Sequence, residues 1–227
     1  DESLYAAEAL LRIHDKNGNF ISPAEAIPIL EESGLIIPVG KWIIQNAFSM
    51  CTECRKYYPE FRVSINLSYV QILKSPLMME LKQIIEHSGI SCSGIIVELT
   101  ESGYLEGTPA VRSVWNDMKQ LRIQIALDDF GTGYSNLMNI SNLEPDIVKL
   151  DRGFTLKALS RSYEYQLMQY VIEMVHKLNQ YVCVEGVETK EDLEKIKALG
   201  PDLIQGYYYS KPCSRDEFLK KFFDYSE

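Results

Sequence analysis

The chain has 227 residues, 46% of them hydrophobic, which suffices for one large α/β domain with its own core. Its formal net charge of −9 comes without a basic run, so it offers duplex nucleic acid or an anionic membrane no counter-charged surface; a small ligand or a protein is the expected partner. No apolar stretch reaches the roughly 18 residues of a membrane span, no signal peptide opens the sequence and residue 1 is Asp, so a domain cut from a longer chain is expected, with regulation in its flanks.

Residues 4–13 form an apolar strand interrupted by Glu8 and Arg12, and the segment 15–19 supplies a turn. Glu8 comes too early to stand at that strand's carboxyl end, so for Glu8 to join other strand-end acids the first strand must run antiparallel to its neighbours. Ser22, Pro23 and Glu25 combine an N-cap, a proline at the first helical position and a capping-box glutamate, starting a helix that stops at Gly34. Pro28 inside it predicts a kink or an early break. A second helix over about 39–57 puts Ile43, Ala47, Cys51 and Cys54 on one face, so Cys51 and Cys54 are read as core packing rather than as half a zinc site or a redox pair. Five cysteines, an odd number in a chain with a sufficient core, indicate a reducing compartment, the cytoplasm by default. His14, His87 and His176 are scattered and suggest no ligand cluster.

A short strand over 62–67 delivers Asn66 and Ser68 at its exit, a helix follows over about 69–87, and a strand over 95–99 carries Glu98, with Glu101 three residues on. Thr108 and Pro109 open a helix whose apolar positions Val111, Val114, Trp115, Met118 and Leu121 keep a helical period. The apolar strand from Ile123 ends in Asp128 and Asp129 and a loop flanked by Gly131 and Gly133; paired acids there suggest a divalent-metal site, the alternative being that they only start a turn. A strand over 145–151 carries Lys149 and Asp151, and a long helix follows with Leu167, Val171, Val175 and Leu178 on one face. Strand 181–185 delivers Glu185, Thr189 caps a helix ended by Gly200, a short strand over 203–204 ends at Gln205, and Ser214 with Glu217 forms a capping box for the last helix. Strand and helix alternate throughout, without internal repeats, which indicates a parallel barrel.

If the strands close into a barrel, Glu8, Asn66, Glu98, Asp128, Asp129, Lys149, Glu185 and Gln205 reach one face, five carboxylates around a single lysine. At an effective dielectric near 20, two like charges about 4 Å apart repel by roughly 4 kcal/mol, so the cluster needs bound cations. Oxygen-only ligands point to Mg²⁺ or Mn²⁺ rather than zinc, and Asp128 could bridge two ions of the kind that activate a water in a phosphoryl displacement. The alternative is a set of solvated strand ends.

Seven short patterns follow in order: Glu8-Ala9-Leu10-Leu11-Arg12, Asn66-Leu67-Ser68, Glu98-Leu99-Thr100-Glu101, Asp128-Asp129-Phe130-Gly131-Thr132-Gly133, Lys149-Leu150-Asp151, Glu185-Gly186-Val187-Glu188 and Gln205-Gly206-Tyr207. Together they make the chain resemble the EAL domain, the cyclic di-GMP phosphodiesterase module of bacterial signalling proteins, over essentially all of residues 1–227. The resemblance implies a TIM-like (β/α)8 barrel with an antiparallel first strand, and metal-dependent hydrolysis of cyclic di-GMP to linear pGpG. By that resemblance Glu8, Asn66, Glu98 and Asp128 bind one metal ion, Asp128, Asp129 and Glu185 another, both Mg²⁺ or Mn²⁺. Lys149, Glu185 and Gln205 are the implied catalytic residues, with Lys149 and Gln205 on the attacking water. Leu10, Arg12 and Glu188 contact the substrate, Arg12 through a phosphate, and Glu101 anchors the loop over 130–136. A homodimer built beside 131–143, a flanking sensory or GGDEF domain, and a cytoplasmic domain in a protein with or without a membrane anchor complete the implication. Departures are minor: Leu150 replaces the commoner Ile, Ile13 stands where Trp often follows the arginine, Val184 stands where Ala is usual, and none removes a ligand. The competing class is a catalytically weak receptor module for cyclic di-GMP, which usually resembles the enzyme with ligands missing. An enolase-type barrel leaves the Asp128–Gly133 and Glu8–Leu10 patterns unexplained.

Overall fold

The computed structural model describes residues 3–100, 108–132 and 143–223. The chain divides into two compact units, one of residues 1–98, 106–123 and 215–227, the other of residues 99–105 and 124–214.

Strands β1 (Ala6–Ala9), β4 (Arg62–Asn66) and β5 (Ile95–Thr100), which lie in the first unit up to Glu98, run parallel, with Ala9 opposite Ile65 and Asn66 opposite Glu98. The expectation of an antiparallel first strand is therefore corrected. The apolar run over 4–13 is not one strand: it stops at Ala9, so Glu8 is its penultimate residue and already lies at a carboxyl end without any reversal. The remainder turns into a separate antiparallel pair, β2 (Ile13–His14) with β3 (Phe20–Ile21), closed by the Asp15 carboxylate accepting from the Asn17 and Asn19 amides, both at 2.8 Å.

The first helix, Pro23–Ser33, begins at Ser22, whose hydroxyl accepts from the Ala24 amide, and ends at Gly34 with φ 75°. It runs unbroken through Pro28, contrary to an early break; a proline there removes one hydrogen bond, which the rest of the helix sustains. The next helix, Ile36–Cys54, buries Ile44, Ala47, Phe48, Cys51 and Cys54 along one face. The helix expected over 69–87 is two, Tyr69–Lys74 and Leu77–Ser88, because Pro76 cannot donate and drives Ser75 to an extended φ −128°, ψ 159°. Thr108 caps Pro109–Gln120 through the Val111 amide, and the helix Arg215–Phe223 brings Phe218 within 5.8 Å of the Phe61 ring.

The second unit holds four parallel strands in sequence order, β6 (Gln124–Phe130), β7 (Ile147–Leu150), β8 (Tyr181–Glu185) and β9 (Leu203–Gln205). Every residue of β7 is buried, as an apolar strand covered on both faces must be. Two helices, Arg152–Ser160 and Ser162–Lys177, follow β7 where one long helix was expected. The second buries Met168, Ile172 and Val175, while Leu167 and Leu178 are 43% and 48% exposed, so only Val175 of the expected face lies in the core. The segment is apolar at two overlapping helical periods, and period alone cannot choose between them. Among the described residues no helix is long and apolar enough to cross a membrane.

Candidate active site

Parallel register carries the polar residues of the first unit to strand ends. Glu8 stands opposite Ser64 and Asn66 opposite Glu98. Asn66 Nδ2 donates to Glu8 Oε1 at 2.7 Å, which fixes the amide orientation and makes Asn66 Oδ1 the acceptor for any other group. Glu98 is only 3% exposed. The exit of β4 is locked from two sides: Ser68 Oγ donates to Glu31 Oε1 at 2.6 Å, and Gln71 Oε1 accepts from the Ser68 amide in a capping box. Glu31 had no signal in the sequence beyond its place near the end of a helix. Leu10 and Arg12 leave β1 exposed, the Arg12 guanidinium 5.9 Å from the Phe20 ring centroid.

In the second unit the acids sit on a backbone irregularity. Leu127 pairs with Val148 and Phe130 with Leu150, so Asp128 and Asp129 together oppose Lys149 in a β-bulge. Asp129 has φ 59°, a left-handed conformation that strains most side chains and that Asp tolerates better than most; its amide donates to Asp128 Oδ1 at 3.0 Å. The bulge turns the paired acids apart, Asp128 buried at 8% exposure and Asp129 exposed. Lys149, 3% exposed, places Nζ 3.1 Å from Asp128 Oδ1 and 2.8 Å from Glu185 Oε1, and Glu185 is in register with Gln205. Burial alone would disfavour an ammonium; two carboxylates in contact favour it.

The loops leaving β8 and β9 are tied to each other. Val187 donates to the Gln205 carbonyl at 3.3 Å and accepts from the Tyr208 amide at 3.0 Å. A Cβ on Gly206 would collide with the Val187 backbone, which is why glycine follows Gln205. At this rim Arg152 Nη2 and Nε donate to Glu188 Oε1 at 2.7 and 3.2 Å, and that hydrogen bonding raises the guanidinium pKa above its ordinary value. Arg152 was not among the sequence candidates; its only signal is adjacency to Lys149-Leu150-Asp151. Asp151 itself caps the helix Arg152–Ser160 through the Gly153 amide. Glu101 and Gly133 lie outside the described residues, as does most of 131–143.

Among the described residues, no three His, Cys, Asp or Glu side chains gather closely enough to hold a metal ion. The Lys149 ammonium stands between Asp128 and Glu185, and the Asn66 amide engages Glu8. The donor set still suits a hard divalent cation, being oxygen throughout, and Asp128 and Glu185 already converge on one cationic centre. A cavity of about 780 Å³ lies elsewhere, against the helices Ile36–Cys54 and Leu77–Ser88, lined by Lys41, Glu53, His87 and Arg215 among others and by none of the sequence candidates.

The EAL domain family model matches residues 1–212. The cyclic di-GMP phosphodiesterase PdeF of Escherichia coli (strain K12) is 32% identical over 205 residues, covering 90% of this chain and 27% of PdeF. The structure of the EAL enzyme Bd1971 in its cAMP- and cyclic-di-GMP-bound form matches with a TM-score of 0.90 at 30% identity, over 96% of this chain and 60% of that one. The calcium/cy-diGMP complex of Klebsiella pneumoniae BlrP1 matches with a TM-score of 0.78 at 25% identity, over 92% of this chain and 51% of that one. The chain spans 25% to 31% of the length of the first curated relatives it matches.

Proposed function

Because the chain belongs to the EAL domain family, we propose that it hydrolyses the second messenger cyclic di-GMP to linear pGpG in a divalent-metal-dependent reaction, with residues 1–227 acting as one phosphodiesterase domain of a longer protein. The observation that carries this reading is Lys149, buried between Asp128 and Glu185 on adjoining parallel strands, with Gln205 in register beside Glu185. A lysine is seldom buried unless paired, and this one is paired at the strand ends where ligands of α/β folds bind.

Glu8, Asn66, Glu98, Asp128, Asp129 and Glu185 are the proposed oxygen ligands of two ions, Mg²⁺ or Mn²⁺. Such ions, when bound, polarise the phosphodiester and acidify water. The chain's own groups do the rest. Lys149 and Gln205 hold and orient the attacking water as donors, and Glu185 fixes the lysine. Arg12 neutralises a substrate phosphate, Leu10 lies along the substrate, and Glu188, holding Arg152, contacts it from the rim. Glu101 is proposed to anchor the loop that begins at Asp129. A homodimer, a flanking sensory or GGDEF domain and a cytoplasmic setting belong to the same proposal.

The test is incubation of the purified chain with cyclic di-GMP and Mg²⁺, with product separated chromatographically, beside Asp128→Asn. Formation of pGpG by the wild type and its loss in the variant support the reading. Tight binding of cyclic di-GMP without turnover would make the chain a receptor module instead.

A further inference from the structure

A short pattern recurs in the second unit. Pro145-Asp146-Ile147-Val148-Lys149 and Pro201-Asp202-Leu203-Ile204-Gln205 each run proline, aspartate, two apolar residues and then a proposed water-holding residue. The two aspartates make the same bonds. Asp146 donates its amide to the Ile125 carbonyl at 2.8 Å, and its Oδ2 accepts the Ile125 amide at 2.8 Å. Asp202 donates to the Val182 carbonyl at 3.1 Å, and its Oδ2 accepts the Val182 amide at 2.8 Å. Each aspartate thus closes a two-bond ring on one residue of the preceding strand, imitating a ladder pair just before its own strand begins. The pins connect in series, because the Asp146 carbonyl also accepts the Tyr181 amide at 2.9 Å, and β6, β7, β8 and β9 are each tied to the next at their entrances. His176 Nε2 lies 2.8 Å from Asp202 Oδ2, adding a link to the helix Ser162–Lys177.

The consequence lies three residues further on, about 10 Å along the strand at some 3.3 Å per residue. Between the Asp146 ring and the bulge, β6 and β7 have only two register pairs, Ala126 with Ile147 and Leu127 with Val148. A ladder that short, ending where two residues already oppose one, resists slippage weakly, and a slip of one residue turns every side chain to the other face. We infer that Asp146 and Asp202 are positioning residues of the proposed phosphodiesterase: each pins its strand's entrance so that Lys149 and Gln205 arrive at the height of Asp128 and Glu185. This rests on the function proposed above for Lys149 and Gln205, while the pinning itself is independent of it.

The experiment compares Asp146→Ala, Asp202→Ala, Asp146→Asn and Asp202→Asn with Val175→Ala, a cavity-forming change in the core of the same unit, all assayed on cyclic di-GMP with saturating Mg²⁺. The alanine variants should lose kcat by on the order of tenfold to a hundredfold, the scale of a misplacement near 1 Å, with KM within about threefold. The asparagine variants should recover most of kcat, because an amide oxygen still accepts the Ile125 or Val182 amide. Val175→Ala should lower the melting temperature with kcat at the wild-type value. Wild-type kcat in both alanine variants, asparagine variants as slow as alanine, or an equal kcat loss in Val175→Ala would each overturn the inference. Should Asp146→Ala fail to fold, Asp202→Ala with its asparagine counterpart supplies the same comparison. A wild-type chain that hydrolyses nothing would overturn the proposed function; the pinning is then read from a crystal structure of Asp202→Ala, where Gln205 still level with Glu185 would overturn it.

Discussion

Lys149 is held by two opposing requirements. At 3% exposure its charge is poorly solvated, and Asp128 and Glu185, at 3.1 and 2.8 Å, make the ammonium acceptable there. Removing it takes away the cation that both carboxylates contact, a loss of about 3 kcal/mol or more for a broken buried pair. Lys149→Ala is therefore expected to melt well below the wild type in EDTA and to recover most of that deficit in Mg²⁺, while its turnover stays low. Equal melting temperatures in EDTA would show that the lysine does not hold the acids together. Cys51 and Cys54 are the buried groups that do no chemistry. Burial pushes their thiols up to about 11 and about 12, and Cys51 Sγ lies 3.5 Å from the Gly94 carbonyl as a weak donor. In the unfolded chain both ionise from an ordinary value of 9.0. Protonated thiols therefore favour the folded state fully below that value, and this share of stability is lost as pH rises through the folded values. The melting temperature should fall above pH 9, less steeply in a Cys51→Val, Cys54→Val double variant, and a thiol reagent near neutral pH should label exposed Cys213 and spare both buried residues. Labelling of Cys51 as fast as Cys213 would contradict the burial argument.

At the scale of elements, most strands were legible because each is an apolar run that stops at a polar residue: Asn66, Glu185 and Gln205 close β4, β8 and β9, and Lys149 stands one short of the end of β7. What the sequence hid was backbone geometry. The direction of β1 depended on where the run over 4–13 breaks, and the run has no glycine or proline to mark Ala9 as its end. The bulge at Asp128 and Asp129 was equally hidden, since two adjacent acids read the same whether they share one partner or face two. The break at Ser75 is written in Pro76, which disfavours a helical conformation in the residue before it. Gly206 shows an element-scale constraint that a sequence can flag without explaining. Its missing side chain lets the exit of β9 lie against Val187, which in turn bonds Gln205 and Tyr208. Gly206→Ala should push the two loops apart, slowing turnover by at least tenfold on the order expected of a misplaced group, while the circular dichroism spectrum stays native. Undiminished kcat in Gly206→Ala would mean that the two loops move without consequence.

The molecule as a whole carries a charge of −9, and five of its acids belong to the proposed ligand set. The family was legible because seven patterns fall in order along the chain, whereas the partners of the acids were not: Lys149 stands between Asp128 and Glu185 and takes up part of their charge. Divalent ions would thus have two effects at once, completing the ligand set and relieving like-charge repulsion, and both should be measurable on the same sample. Mg²⁺ or Mn²⁺ should raise the melting temperature in a concentration-dependent way, as any ligand of the folded state must, and support hydrolysis of cyclic di-GMP. EDTA should abolish turnover and return the melting temperature to its metal-free value. Ca²⁺ should stabilise the chain while supporting little hydrolysis, because its bonds of about 2.3–2.6 Å and looser coordination hold oxygen ligands at the wrong spacing for a site tuned to ions near 2.0–2.1 Å. Asp128→Asn should lose both the thermal response to Mg²⁺ and the turnover. Full activity in EDTA, or an Asp128→Asn variant that still responds to Mg²⁺ and still makes pGpG, would remove the metal from the reaction and leave Lys149 and its acid partners to be explained as core electrostatics alone.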